Sequence, residues 1–217
     1  MRVVFRDRFV EQYCSGKRVL DLGSVGNETY AEEMQRGRWL FAKIQRQAAK
    51  AVGIDILAGP IAELRRQGYD IRCHDIERLD SFRAEGEFDL IVAGEVIEHL
   101  TNMHAFLEGV RLHMGQRTEL LITTPNPFAF IRFLDALRRR ERCRPDHVAW
   151  YSAKTLSQLL AQHGLRVRSV LFYCFLSRFK RSVPLSYLRR WASMLFPFLA
   201  DGLMVIAVRD DASGLPC

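Results

Sequence analysis

"RVLDLGSVGNETY", residues 18–30, decides the fold. A short apolar run ends in Asp21 and is followed at once by Gly23 and Gly26, the pattern of a strand entering a glycine turn at the start of a helix. A G-x-G-x-x-G turn uses its later glycines to close backbone N–H groups around a pyrophosphate. Here Val25 and Glu28 stand where those glycines belong, and no G-x-x-x-x-G-K-[ST] run is present. The turn therefore suits a nucleoside ligand that carries no phosphate.

Outward from this stretch, apolar runs of strand length alternate with helical patterns. "AVGID" (51–55), "YDIRC" (69–73), "FDLIVAG" (88–94) and "ELLITT" (119–124) are separated by "YAEEMQRGRWLFAKIQRQAAK" and "MHAFLEGVRLHM". Later, "YSAKTLSQLLAQHG" reads as a helix with Ser152 as N-cap and Gly164 as stop, before the strands "LRVRSVLFYCF" and "GLMVIAVR". Short buried strands alternating with helices predict an α/β fold: a doubly wound, mostly parallel sheet of about seven strands in a single domain, 1–217. Two stretches, about 126–147 and about 177–201, read as helical insertions capping the substrate side.

Open α/β sheets bind ligands at the carboxyl ends of their strands. Asp21 and Gly23 close the first strand, Asp55 the second, Asp75 follows the third, and Gly94-Glu95 closes the fourth. A carboxylate after the second strand suits the two hydroxyls of a ribose, and one after the third suits an adenine amine. Either acid alone reads as a surface loop residue or a cap; their joint placement favours an adenosine pocket. Asp21, inside a strand, is expected to be buried and so to face donors.

The ordered set resembles the class I S-adenosylmethionine-dependent methyltransferases from about residue 18 to residue 174. "VLDLGSVGN" resembles the family's first motif, "VGIDI" the second, "HDIERL" the third and "FDLIVAGEVIEHL" the fourth, with "LLITTPNPF" and "HVAWYSAKTLSQLLAQHGLRV" similar to later segments. The resemblance implies a Rossmann-like sheet with an antiparallel last strand and S-adenosyl-L-methionine as cofactor. It places Asp21, Gly23, Ser24 and Gly26 by the methionine moiety, Asp55 and Ile56 at the ribose, Asp75 and Ile76 at the adenine, and Gly94 and Glu95 along the cofactor. The first motif departs from the family pattern at Val25 and Asn27.

Methyl transfer to a hydroxyl needs a positioned acceptor and a base. A helix beginning after Gly94 would set Glu95, Glu98 and His99 on one face, with His147 approaching the same mouth. Glu98, His99 and His147 are the candidate catalytic groups. Glu95, Glu98, His99 and His147 also form an E-x-x-E-H set that resembles the metal site of the small-RNA 2′-O-methyltransferases. A divalent metal is not favoured, because "EVIEHL" is equally similar to metal-free small-molecule enzymes, including ubiquinone-pathway O-methyltransferases. Asn126 and Phe128, after the proline-stiffened exit of the fifth strand, are expected to line the acceptor site. His74, His104, His113 and His163 carry no motif.

Composition bounds the partners. The 217 residues carry a net charge of +7, with 48% apolar and 26% charged residues, as in an ordinary soluble domain. The N-terminal segment lacks the apolar run of a signal peptide, and five dispersed cysteines argue for a reducing, cytoplasmic setting. "WASMLFPFLADGLMVIAV" is broken by Pro197, Asp201 and Gly202 and reads poorly as a membrane span. "FAFIRFLDALRRRERCR" and "FLSRFKRSVPLSYLRRWASMLFPFL" mix aromatic and basic residues. They read first as a helical cap with a solvated basic face, then as a peripheral contact with the inner face of a membrane, and only third as a nucleic-acid grip. The expected enzyme methylates a small or glycan- or lipid-linked hydroxyl. The alternatives are a metal-assisted RNA 2′-O-methyltransferase and a non-catalytic cofactor-binding scaffold.

Overall fold

Eight runs of backbone pair into one sheet: β1 (Val3–Phe5), β2 (Arg18–Leu22), β3 (Lys50–Asp55), β4 (Ile71–Cys73), β5 (Leu90–Gly94), β6 (Glu119–Pro125), β7 (Leu165–Cys174) and β8 (Gly202–Arg209). The computed structural model describes residues 3–26, 30–83, 86–175 and 191–210. Successive side chains of a strand point to opposite faces, and here both faces are apolar. Val19 joins one apolar cluster and Leu20 the other; Ile91 and Ala93 face one way, Leu90 and Val92 the other.

Helices cover both faces. α1 (Arg6–Tyr13), α3 (Leu40–Gln47) and α4 (Ala58–Arg66) send Val10, Phe41, Ile44, Ile61 and Leu64 into one cluster. α5 (Met103–Leu112) and α7 (Ala153–Gln162) send Phe106, Leu107, Val110, Leu156 and Leu160 into the other. Two shorter or more peripheral helices, α2 (Tyr30–Gln35) and α6 (Phe130–Leu137), flank the carboxyl edge of the sheet. Ser152 caps α7 through Thr155 N in a reciprocal capping box, and Gly164 turns the chain out at φ +65°.

The strand order is β1-β7-β8-β6-β5-β2-β3-β4, parallel except that β8 runs antiparallel between β6 and β7. The chain winds from β2 to β3 and β4, then returns to the other side of β2 as β5. That reversal leaves a crevice beyond the carboxyl ends of β2 and β5, the usual ligand position in such sheets.

The doubly wound sheet and its antiparallel last strand are as expected, but among the described residues it has eight strands and not about seven. The added strand, β1, pairs with β7 through Val3, Val4 and Phe5, and three residues flanked by charge are too few to show a period. The expected helical stretch over 30–50 is two helices. Gly37 at φ +62° breaks it, and Glu33 O accepts from Arg38 N and Trp39 N at 2.7 and 3.2 Å. In the first insertion only α6 is helical, and an ion pair of 3.2 Å between Arg142 and the buried Asp135 folds the irregular return beneath it. Residues 177–190 of the second insertion lie outside the described residues.

Away from the crevice, Glu119 at the start of β6 accepts from Tyr13 Oη at 2.8 Å and Lys17 Nζ at 3.0 Å, and also pairs with Arg168. The clamp ties the N-terminal segment to β6 and β7. At the opposite end, Gly202 faces the fully buried Tyr173, and a Cβ on Gly202 would lie 1.9 Å from Tyr173 Cζ. Gly202→Ala is therefore expected to cost about 1–3 kcal/mol through overpacking. Urea denaturation checks this; a midpoint equal to wild type would show that the Tyr173 ring is free to move.

Candidate active site

The turn after β2 is shaped by hydrogen bonds that its side chains cannot make alone. Gly23 N and Ser24 N donate to Ile54 O at 2.8 and 3.1 Å, so the turn leans on β3. Gly23 sits at φ +76°, and a Cβ there would meet Val96 Cγ2 at 2.6 Å, which makes glycine obligatory. The Asp55 carboxylate then gathers the turn: Oδ2 accepts from Val25 N at 2.9 Å and Gly26 N at 3.1 Å, while Oδ1 accepts from Leu57 N at 3.2 Å. Trp39 Nε1 donates to Ser24 O at 2.8 Å from the other side. Val25 is buried in the apolar cluster with Trp39, so the residue that departs from the glycine pattern is a core residue. Asn27 lies outside the described residues.

This turn forms one wall of a cavity of about 740 Å³. Asp21, Gly23, Ser24, Gly26, Asp55, Ile56, Asp75, Ile76, Gly94, Glu95, Glu98, His99 and His147 all line it, so the tertiary structure brings together every residue singled out for cofactor or catalysis. Asp75 caps the short turn that follows β4, accepting from Glu77 N at 2.9 Å. Asn126 and Phe128 do not line it. Asn126 Nδ2 is committed to Phe198 O at 2.7 Å and Ala200 O at 2.9 Å, and Phe128 faces outward. Pro125, Ala129, Ile131 and Arg132 take that part of the wall.

No α-helix follows Gly94. Glu95 adopts φ +58°, a conformation that costs a residue with a Cβ about 1 kcal/mol or more, and Ile97–His99 form a single 3₁₀ turn. The twist separates side chains that a helix would align. Glu95 turns back to Tyr173 Oη and to Thr123 Oγ1 (3.3 Å), whereas Glu98 accepts from Thr124 Oγ1 at 2.9 Å. Glu98, His99 and His147 each offer a ligand atom within 4.8 Å of the other two; Glu95 is not in that group. His99 Nδ1 lies 3.0 Å from Asp146 O, and its ring meets His147 edge-on at 4.6 Å. Glu98 Oε1 and His147 Nδ1 are buried and make no hydrogen bond.

Arg6, at the start of α1, also lines the cavity and carries no signal in the sequence, because β1 that delivers it is too short to recognise. Burial opposes its charge, but Glu95, Asp7 and Tyr173 around it hold its pKa above the ordinary value. Its guanidinium lies 4.9 Å from the Phe175 ring centroid.

Charge is costly on this wall. Burial pushes the Asp21 carboxyl up to about 8 against the Ser24 hydroxyl, with the Asp55 charge adding to the rise and Arg6 opposing it. Glu98 is raised by burial and by the charge of Glu95. His147 is lowered by burial and by His99. Near neutrality Asp21 and Glu98 thus stay protonated and the His147 imidazole uncharged.

Over residues 5–170 the sequence matches the family described as methyltransferase domain. The chain belongs to that family. No curated protein matches it. Among solved structures it is similar to a SAM-dependent methyltransferase from Archaeoglobus fulgidus, at 19% identity and a TM-score of 0.59, covering 93% of this chain and 90% of that one. An S-adenosylmethionine-dependent methyltransferase from Mesorhizobium loti is similar at 16% identity and a TM-score of 0.60, with 94% and 96% covered. The 1,6-didemethyltoxoflavin-N1-methyltransferase of Burkholderia thailandensis, solved with S-adenosylhomocysteine, is similar at 14% identity and a TM-score of 0.55, with 94% and 78% covered. The methyltransferase has the Rossmann-like class I fold that these structures share.

The raised pKa of Asp21 has a definite sign. From the ordinary carboxyl range up to about 8 the folded methyltransferase holds a proton that the unfolded chain has released, so this group's stabilising contribution falls as pH rises through that window. Asp21→Asn is expected to remove a slope of about 1.4 kcal/mol per pH unit from ligand-free stability. Denaturant midpoints measured across that window check it; parallel pH profiles for variant and wild type would overturn it.

Proposed function

We propose that this methyltransferase uses S-adenosylmethionine to methylate a hydroxyl group of a small or glycan- or lipid-linked acceptor. The carrying observation is the unpartnered pair on the cavity wall, Glu98 Oε1 and His147 Nδ1. Buried polar atoms cost free energy until something reaches them, and a hydroxyl both donates and accepts.

The strand ends fit the donor. Asp55 suits the ribose hydroxyls, and Asp75 with the Ile76 backbone suits the adenine edge, with Ile56 beside them. Asp21, Gly23, Ser24, Gly26, Gly94 and Glu95 suit the methionine end, where Arg6 adds a cation for its carboxylate. Bound S-adenosylmethionine supplies a methyl group activated on a sulfonium, which leaves the protein to place the acceptor and take its proton. Neutral His147 takes that proton at a ring nitrogen, and His99 packs edge-on to hold the imidazole. Glu98, kept protonated by burial and by Glu95, donates to the acceptor oxygen.

A second reading is favoured by the same two orphan atoms. Glu98, His99 and His147 would serve as ligands for a divalent metal, as a metal-assisted RNA 2′-O-methyltransferase requires. Glu95 is engaged with Tyr173 outside that cluster, so the ligand set is smaller than the sequence pattern implies.

An anionic membrane surface fits the outer side of the cavity mouth. Ile131 and Arg132 of α6 line the cavity, while Phe133 and Leu137 on the same helix are exposed and Arg138, Arg139 and Arg140 follow. The segment carrying exposed Trp191, Met194, Leu195, Phe196 and Phe198 joins this face where Asn126 binds Phe198 O. Bulky apolar groups flanked by arginines match a lipid interface with negative headgroups, which would present a lipid-linked acceptor at the mouth. Among the described residues no helix is long and apolar enough to cross a membrane.

Methyl transfer from labelled S-adenosylmethionine to a panel of sugar and phenol acceptors, in excess chelator, tests the chemistry. His147→Asn is expected to lower kcat by about 10²-fold or more, and the wild-type rate should fall toward acid as His147 takes up a proton and again above about pH 8 as Glu98 loses its own. Calorimetry should show Asp55→Ala binding S-adenosylmethionine at least about tenfold more weakly, because three backbone amides lose their acceptor. Activity abolished by chelator and restored by Mn²⁺ or Co²⁺ would replace the hydroxyl-base mechanism with the metal-assisted one. Separately, flotation with phosphatidylglycerol vesicles is expected to carry the protein in a salt-sensitive way, weakened in Phe133→Asp. No flotation, or equal flotation with phosphatidylcholine, would overturn the membrane contact.

A further inference from the structure

A second cluster of ligating side chains lies apart from the cavity. His104 and Glu108 sit four residues apart on α5, hence on one face, and His163 caps the C-terminus of α7 beside them. Each offers one ligand atom, and all three atoms lie within 4.8 Å of one another. None of the three lines the cavity, and His163 ends α7, a helix about 15 Å long whose start, Ala153, follows His147.

We propose that His104, Glu108 and His163 form a zinc-class metal site that fastens α5 to the end of α7. Two imidazoles and one carboxylate suit Zn²⁺, Co²⁺ or Ni²⁺, whereas Mg²⁺ and Ca²⁺ prefer oxygen donors. Around tetrahedral Zn²⁺, ligand atoms stand about 3.3 Å apart. His163 Nδ1 and Glu108 Oε1 are already 3.0 Å apart, and the rings of His104 and His163 are 4.9 Å between centroids, so small side-chain rotations close the set.

The surroundings are graded as a metal site requires. His163 is 8% exposed, which holds its ring in one place, while His104 is exposed and leaves the fourth position open to water. Arg111 Nε stands 3.8 Å from Glu108 Oε2 and steadies the carboxylate oxygen nearer to it. Metal binding exchanges the proton shared by His163 and Glu108 for the cation, with no change of oxidation state. The position gives the brace a consequence. α5 follows Leu100 and Thr101, and α7 follows Asp146 and His147, all of which line the cavity.

The test uses the full chain, stripped with chelator and dialysed, in a His147→Asn background so that the other histidine cluster is weakened. Co²⁺ titration should show saturable binding with visible ligand-field absorption, which Zn²⁺ displaces, and Zn²⁺ should raise the melting temperature. Adding His104→Ala, at an exposed position, is expected to weaken Co²⁺ binding about tenfold or more and to abolish the Zn²⁺ stabilisation. No saturable Co²⁺ binding, or binding and melting unchanged by His104→Ala, would overturn the site. The readout is metal binding and melting, so it stands whether or not the proposed methyl transfer does.

Discussion

Three backbone N–H groups end on one carboxylate: Val25, Gly26 and Leu57 all donate to Asp55. A strand end from β3 thereby holds the turn that leaves β2, and the mouth of the cavity takes its shape from that contact. Buried amides must be satisfied somewhere, and without a glycine-rich cradle or a phosphate they turn inward to an acid. Val25 then points into the core and Trp39 closes over Ser24 O, so the departure from the glycine pattern is compensated by packing.

The opposite wall is governed by the cost of charge. Glu95, Glu98, Tyr173 and Arg6 meet where the sheet leaves little water, and the positive φ of Glu95 aims its carboxylate at Tyr173 and away from Glu98. Strain of this kind persists only where surrounding contacts over-determine the backbone, and here Thr123 O accepts from Glu95 N at 2.9 Å to hold it. The result is a site in which Asp21 and Glu98 hold their protons and His147 gives its up, a division set by burial and by neighbouring charge.

Much of this was legible along the chain because parallel strands buried on both faces leave apolar runs, and their ends mark the ligand edge. Asp21, Asp55 and Asp75 are readable for that reason, as is the capped α7. The failures were local. A helix after Gly94 would align Glu95, Glu98 and His99, but the backbone reverses at Glu95 under tertiary contacts that no window of sequence contains. Asn126 was expected at the acceptor, but it is drawn away by Phe198 O and Ala200 O, more than seventy residues along the chain.

The sequence by itself determined the doubly wound sheet, the acidic strand ends and the family, since these rest on hydrophobic period and on residues close in the chain. Only the tertiary structure decided that β1 exists, that Arg6 and Tyr173 meet Glu95, and that Glu98 joins His99 and His147 without it. The physical reason is range. Period and turn chemistry act over a few residues, whereas burial, pKa and side-chain partners depend on which distant segments the sheet brings together.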